Sequence, residues 1–160
     1  MHPAPPITGQ PLTSATMKRR KQKKLSGQLV TAASFGDADD VEALLRRGAR
    51  PEAADAYGST PLYAAAVRGA ADVVRRLLAA GAPPDEESGY LTEGTPLCAA
   101  ACWGHTEAVR ELLAHGADPD LREDHGTGRS PLEWARGGPY PETVAVLLAA
   151  GATPHEGSLP

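Results

Sequence analysis

Asparagine is absent from the 160 residues, and isoleucine and phenylalanine occur once each, as Ile7 and Phe35. The scarcity of these residues beside abundant Ala, Arg, Gly and Pro is the usage expected of a GC-rich genome, such as that of an actinobacterium. Two cysteines, Cys98 and Cys102, are too few and too close for a disulfide framework, which suits a reducing compartment. No apolar run is long enough to span a membrane, and no hydrophobic N-terminal stretch resembles a secretion signal. The sequence therefore predicts a soluble cytoplasmic protein of one ordinary-sized domain.

Lysine is nearly absent too: all four lysines lie between residues 18 and 24, with Arg19 and Arg20. The formal net charge of −4 hides this division, because outside the run ten Lys and Arg face all twenty Asp and Glu. The first sixteen residues are rich in Pro, Thr and Ser without apolar periodicity, so the sequence predicts disorder over residues 1–24. Met17 stands directly before the basic run, and translation is expected to start there. The run itself has three readings: a solvated flank of the first helix, a salt-sensitive contact with nucleic acid or another anionic surface, or an import signal. No aromatics interleave with it, and the acidic remainder opposes nucleic acid as a partner.

What is present is periodic. Gly-Ala closes a Leu-Leu run at Gly48-Ala49, Gly81-Ala82, Gly116-Ala117 and Gly151-Ala152, with spacings of 33, 35 and 35 residues. Thr60, Thr95 and Ser130 each precede Pro-Leu, and these hydroxyls can cap a helix whose first position holds the proline. Ser130 and Glu133 also have the spacing of a capping box, giving Glu133 a structural role. Gly36, Gly69 and Gly104 allow a reversal, after which a second helix opens on Asp39, Asp72, Glu107 or Glu142, acids that complement the helix dipole. The glycine ending each repeat suits a left-handed C′ residue, with Pro51, Pro83, Pro119 or Pro154 shortly after. Alanine pairs such as Ala65-Ala66 and Ala100-Ala101 permit close helix packing. One helix pair cannot bury its own apolar face, so four must stack.

This pattern resembles the ankyrin repeat, with its Thr-Pro-Leu-His opening, alanine pair, Gly-His turn and Leu-Leu-x-x-Gly-Ala close. The resemblance covers residues 25–157, with approximate repeats 25–57, 58–92, 93–127 and 128–157. It implies an all-α solenoid of four helix–turn–helix units with finger loops, and a non-enzymatic module that binds a protein partner as adaptor, inhibitor or scaffold. Such repeats bind through the concave face made by finger tips and inner helices. The two positions before the turn glycine face that groove in the family, which here places Phe35, Arg68, Cys102 and Trp103 on it. Aromatic residues and arginine dominate buried interface energy, so these residues are expected contacts. Trp134, at the position of Thr31, Ala64 and Ala99, is expected to pack instead.

The fingers add Tyr57, then Asp85, Glu86, Glu87, Tyr90 and Glu93, then Arg122, Glu123, Asp124 and His125. Tyr57, Tyr90, Arg122 and Glu123 complete the expected protein-binding set, and the clustered carboxylates suit a partner with a basic patch. The outer helix of the last repeat is uncharged after Glu142. The chain is expected to be a monomer, with this helix as the surface for any self-association.

Enzyme chemistry finds little purchase. Cys98 and Cys102 share a helix side and His105 follows, the beginning of a zinc site, but no fourth ligand is evident. Cys98, Tyr63 and Glu133 occupy the family's histidine position, a structural place. Nothing supplies a serine nucleophile with an oriented base and acid. Gly126-Thr127-Gly128-Arg129 lacks the lysine and hydroxyl residue of a phosphate loop. The sequence thus predicts no catalytic residues, no metal and no cofactor, with a metal-dependent enzyme the remotest alternative.

Overall fold

A computed structural model describes residues 13–90 and 93–155. Among these residues there are nine helices and no strand: α1 (Ser14–Phe35), α2 (Ala38–Arg46), α3 (Pro61–Arg68), α4 (Ala71–Ala79), α5 (Pro96–Cys102), α6 (Thr106–Ala114), the single turn α7 (Glu123–Gly126), α8 (Pro131–Arg136) and α9 (Pro141–Ala149). All but α7 form four antiparallel pairs in two rows. The inner row stacks α1 on α3, α3 on α5 and α5 on α8, and the outer row stacks α2, α4, α6 and α9 in the same order.

Local chemistry sets each unit. Thr60, Thr95 and Ser130 accept hydrogen bonds from the Tyr63, Cys98 and Glu133 amides, and Ser130 with Glu133 completes a capping box. Each Leu-Leu-x-x-Gly-Ala close is a Schellman motif: the amides of Ala49, Ala82, Ala117 and Ala152 donate to the carbonyls of Leu44, Leu77, Leu112 and Leu147, each at 3.0 Å. Those alanines are buried, so the motif both ends the outer helix and turns the chain back under the stack. Gly81, at φ 100°, supplies the left-handed step that other residues adopt only under strain.

The core is small and continuous. Ala33, Ala65, Ala66, Ala100 and Ala101 are fully buried between inner helices, while Val41, Leu77, Leu112 and Leu147 fill the space between rows. Alanine lets neighbouring helices approach closely and keeps helix propensity high.

One expectation requires correction. Residues 14–24, expected to be disordered, are the first half of α1, which at 22 residues far outruns the other inner helices. Ala, Met, Lys, Arg and Gln are strong helix formers, and a helix already nucleated by the buried Leu25–Ala33 half extends toward the N terminus at little cost. Thr13 caps it by accepting from the Thr16 amide, and Gln22 anchors it by donating to the Gly48 carbonyl at 2.9 Å. The basic run lies along this helical overhang, exposed at all six charged positions. The expected extension before Met17 falls mostly on residues 1–12, outside the described residues.

Candidate functional site

Each inner helix ends by presenting a large side chain just before its turn glycine. Phe35 closes α1 with 74 % of its surface exposed, Arg68 closes α3 exposed, and Trp103, 58 % exposed, follows α5. The second alanine of each pair, Ala33, Ala66 or Ala101, stands two residues earlier, about 200° round the helix, and is fully buried, so the helix period directs these side chains away from the core. Tyr57 and Tyr90 are the most exposed aromatics on the fingers. The Tyr90 ring covers Gly58, where any β-carbon would meet it, and the Gly89 amide donates to the Gly58 carbonyl.

The predicted residues do not form one patch. Phe35 and Tyr57 line a cavity of about 750 Å³ on the N-terminal end face, between α1, α2 and the first finger. Arg68 borders a shallower groove of about 430 Å³ with Val30, Tyr63 and Glu93. Cys102, Trp103 and Glu123 meet in a cleft of about 380 Å³ between α3, α5, α8 and the second and third fingers, together with Tyr63, Glu93 and Trp134. Arg122 is committed elsewhere: its guanidinium pairs with Glu133 at 3.0 Å and donates to the Gly128 carbonyl at 2.8 Å.

Trp134 is half-buried, as expected of a packing residue, yet it also forms a wall of the cleft. Its indole N–H donates to Glu123 Oε2 at 2.7 Å, and the Arg129 guanidinium stacks 4.8 Å from its ring centroid. Trp134, Tyr63 and Glu93 were not in the predicted contact set. For Trp134 the signal lay in a large side chain where the other repeats carry Thr31, Ala64 and Ala99, and for Tyr63 in an aromatic where the next repeat carries Cys98, while Glu93 stood among the finger carboxylates.

The third finger holds Glu123 in place by an unusual backbone. Asp124 and His125 both adopt left-handed conformations, at φ 50° and 53°, a strained arrangement for non-glycine residues. The Gly128 amide closes the turn onto the Glu123 carbonyl at 2.8 Å, and Glu87 clamps it by accepting from the His125 amide and pairing with its ring. Glu87 and Asp85, expected to meet a basic partner, serve as such clamps. Asp85 accepts from the Asp118 amide and Asp120 from the Thr153 amide, tying each finger to the next.

Burial and neighbouring carboxylates act against negative charge in the cleft. Burial raises the Tyr63 phenol pKa, with Glu93 and Glu123 adding to the effect. Burial raises the Cys102 thiol, again reinforced by Glu123. Glu123 is itself raised by burial and by Asp124 and Glu87, against the Trp134 hydrogen bond and Arg129. Cys98, buried below, is pushed up to about 12 and points its thiol at the Leu121 and Arg129 carbonyls. A thiol so placed is inert as a nucleophile.

Cys98, Cys102 and His105 do not converge. His105 lies over Gly69 with Nε2 3.1 Å from the Val67 carbonyl, on the side toward the preceding repeat, whereas Cys98 faces the third finger. Among the described residues no group of three or more His, Cys, Asp or Glu is placed to hold a metal ion. No described helix is long and apolar enough to cross a membrane.

The repeated pairs, their caps and their finger loops agree with the family to which the sequence compares. The description "Ankyrin repeats (3 copies)" matches residues 29–123 and, in a second overlapping register, 81–157. The chain belongs to the ankyrin-repeat family. None of the curated proteins compared with it matches. Ankyrin repeats are generally protein–protein interaction modules, and the position after Thr-Pro-Leu keeps its structural task in this ankyrin chain without a histidine. Cys98 meets the carbonyls of the third finger, and Glu133 the Arg122 guanidinium.

Proposed function

We propose that residues 25–157 form a non-enzymatic recognition module that binds a protein partner through the concave face, acting in the cytoplasm as an adaptor, inhibitor or scaffold. The observation that carries this reading is the outward presentation of Phe35, Arg68 and Trp103, one in each of the first three repeats, above an alanine core that is buried. Large aromatic side chains held exposed on rigid helix ends lose little entropy when a partner covers them. Cys102 and Glu123 lie beside Trp103, while Tyr57 and Tyr90 extend the surface along the fingers. The acids of the second and third fingers favour a partner with a basic patch, whose approach they would accelerate.

The test is a pair of substitutions, Trp103→Ala and Arg68→Ala, assayed against a purified partner by calorimetry and for stability by urea unfolding. Loss of Trp103 is expected to weaken binding by about 2 kcal/mol or more. Both variants should keep their unfolding midpoint to within about 0.5 kcal/mol, since exposed residues without buried partners contribute little to folding. Unchanged affinity in both variants would contradict the assignment of this face.

A further inference from the structure

Most carboxylates of the outer helices are neutralised within the molecule. Glu42 pairs with Arg46 and Arg76, Asp72 with Arg75, and Glu107 and Glu142 both pair with Arg110. The cleft behind Trp103 is different. Three carboxylates line it, Glu93, Glu123 and Asp124, and among the described residues none of the three forms an ion pair. Glu93 is held rigidly, accepting from the Ser59 and Ser88 hydroxyls at 2.8 and 2.6 Å. Glu123 is held by Trp134 through Oε2, while its Oε1 accepts no hydrogen bond from a described residue and lies over Gly94, where a β-carbon would displace it.

The cleft is more than an acidic cluster, because Tyr63, Trp103 and Trp134 line it as well, beside the small residues Gly94, Cys98, Ala99 and Cys102. Aromatic faces attract cations, and carboxylates partly withdrawn from water attract them more strongly than exposed ones. The molecule already shows the pairing from outside the cleft, where Arg129 stacks on Trp134. That single cation leaves the three carboxylates under-compensated.

We propose that this cleft binds an arginine side chain of the protein partner, its guanidinium lying against the tryptophan walls and donating hydrogen bonds to Glu123. The inference rests on the concave-face reading above and gives it a chemical class of ligand. Arginine fits better than lysine because a planar, weakly hydrated guanidinium both stacks on indole and donates through two parallel N–H groups. An ammonium surrenders more hydration on entering a half-closed cleft.

The chain contains two tryptophans, so its indole N–H groups give two NMR resonances that report on the cleft directly. The ¹⁵N-labelled full chain is titrated in physiological salt with blocked Gly-Gly-Arg-Gly-Gly, and with the same peptide carrying citrulline or lysine in place of arginine. The arginine peptide should shift both indole resonances saturably, the lysine peptide should bind more weakly, and the neutral citrulline peptide should leave them unmoved. Glu123→Gln, which keeps an acceptor for Trp134, should weaken arginine binding roughly tenfold or more, the loss expected for a hydrogen bond to a charged group. Glu107→Gln on the outer helix should leave it unchanged, and the unliganded spectrum of Glu123→Gln verifies its fold. Equal response to citrulline or lysine, no response at millimolar arginine peptide, or equal weakening by both substitutions would overturn the proposal. A partner whose binding requires Trp103 yet ignores Glu123→Gln would overturn the arginine cleft and leave the concave-face reading intact.

Discussion

Glu123, in the third finger, and Glu133, in the first turn of α8, are pulled in opposite directions in their titration. Burial raises the Glu123 pKa from its ordinary value. A group raised on folding contributes stability that is present below its unfolded pKa and lost as pH climbs through the folded value. The ionised Glu123 therefore weakens the fold at neutral pH. Glu123→Gln is expected to be more stable than the parent at pH 7, with the difference closing on acidification. Glu133 is lowered by the Ser130 amide first and by Arg122. Its contribution is present above the unfolded pKa and lost as pH falls through the folded value, so Glu133→Gln should destabilise at pH 7 and match the parent in acid. Thermal unfolding of the three proteins at pH 7 and at about pH 3, below the ordinary carboxylate range, checks both signs; equal shifts in one direction would contradict the opposed environments. At this scale the sequence announced Glu133, through the spacing of its capping box. It announced Glu123 only as one acid among several, because its value depends on two left-handed residues and on an indole that arrives from another helix.

Among the elements, two turn glycines carry the same backbone demand with different surroundings. Gly81 sits at φ 100° with open space where a β-carbon would stand, and Gly69 sits at φ 73° with the His105 ring against it. Gly81→Ala should cost about 1–2 kcal/mol, the price of a left-handed alanine. Gly69→Ala should cost more, because His105 must also leave its place beside the Val67 carbonyl. Urea unfolding midpoints decide the order, and equal losses would mean that the His105 contact contributes nothing. The helix starts, reversals and Schellman closes were legible because each depends on residues within a few positions of one another. The length of α1 was not, since its first half carries no apolar period and takes its conformation from the packed half that follows. The fingers were least legible: whether Asp85, Glu87 and Asp120 meet solvent or clamp the next loop depends on the neighbouring repeat, which no single repeat's sequence contains.

Across the described residues, the main contacts of each unit are with its neighbours, so interior and terminal positions should differ in what they lose. Leu97 on α5 lies between α3 and α8, whereas Leu147 on α9 belongs to the terminal pair, and both are essentially fully buried. Truncating either to alanine should cost about 2–5 kcal/mol, with Leu97 the more costly because two interfaces loosen at once. Equal unfolding losses would argue against nearest-neighbour stacking as the source of stability. The charge distribution belongs to this scale as well. A basic helical overhang lies at the start of α1, and an under-compensated acidic cleft lies between α3, α5 and α8 on the proposed concave face. The most direct test of that face is site-specific photo-crosslinking in the native host, with the reactive residue at Trp103 and, in a parallel strain, at Ala79 on the outer helix α4. The account predicts a protein captured from position 103 and not from position 79, whose purified form binds the chain and loses affinity on Trp103→Ala; identical capture from both positions, or none from 103, would contradict it.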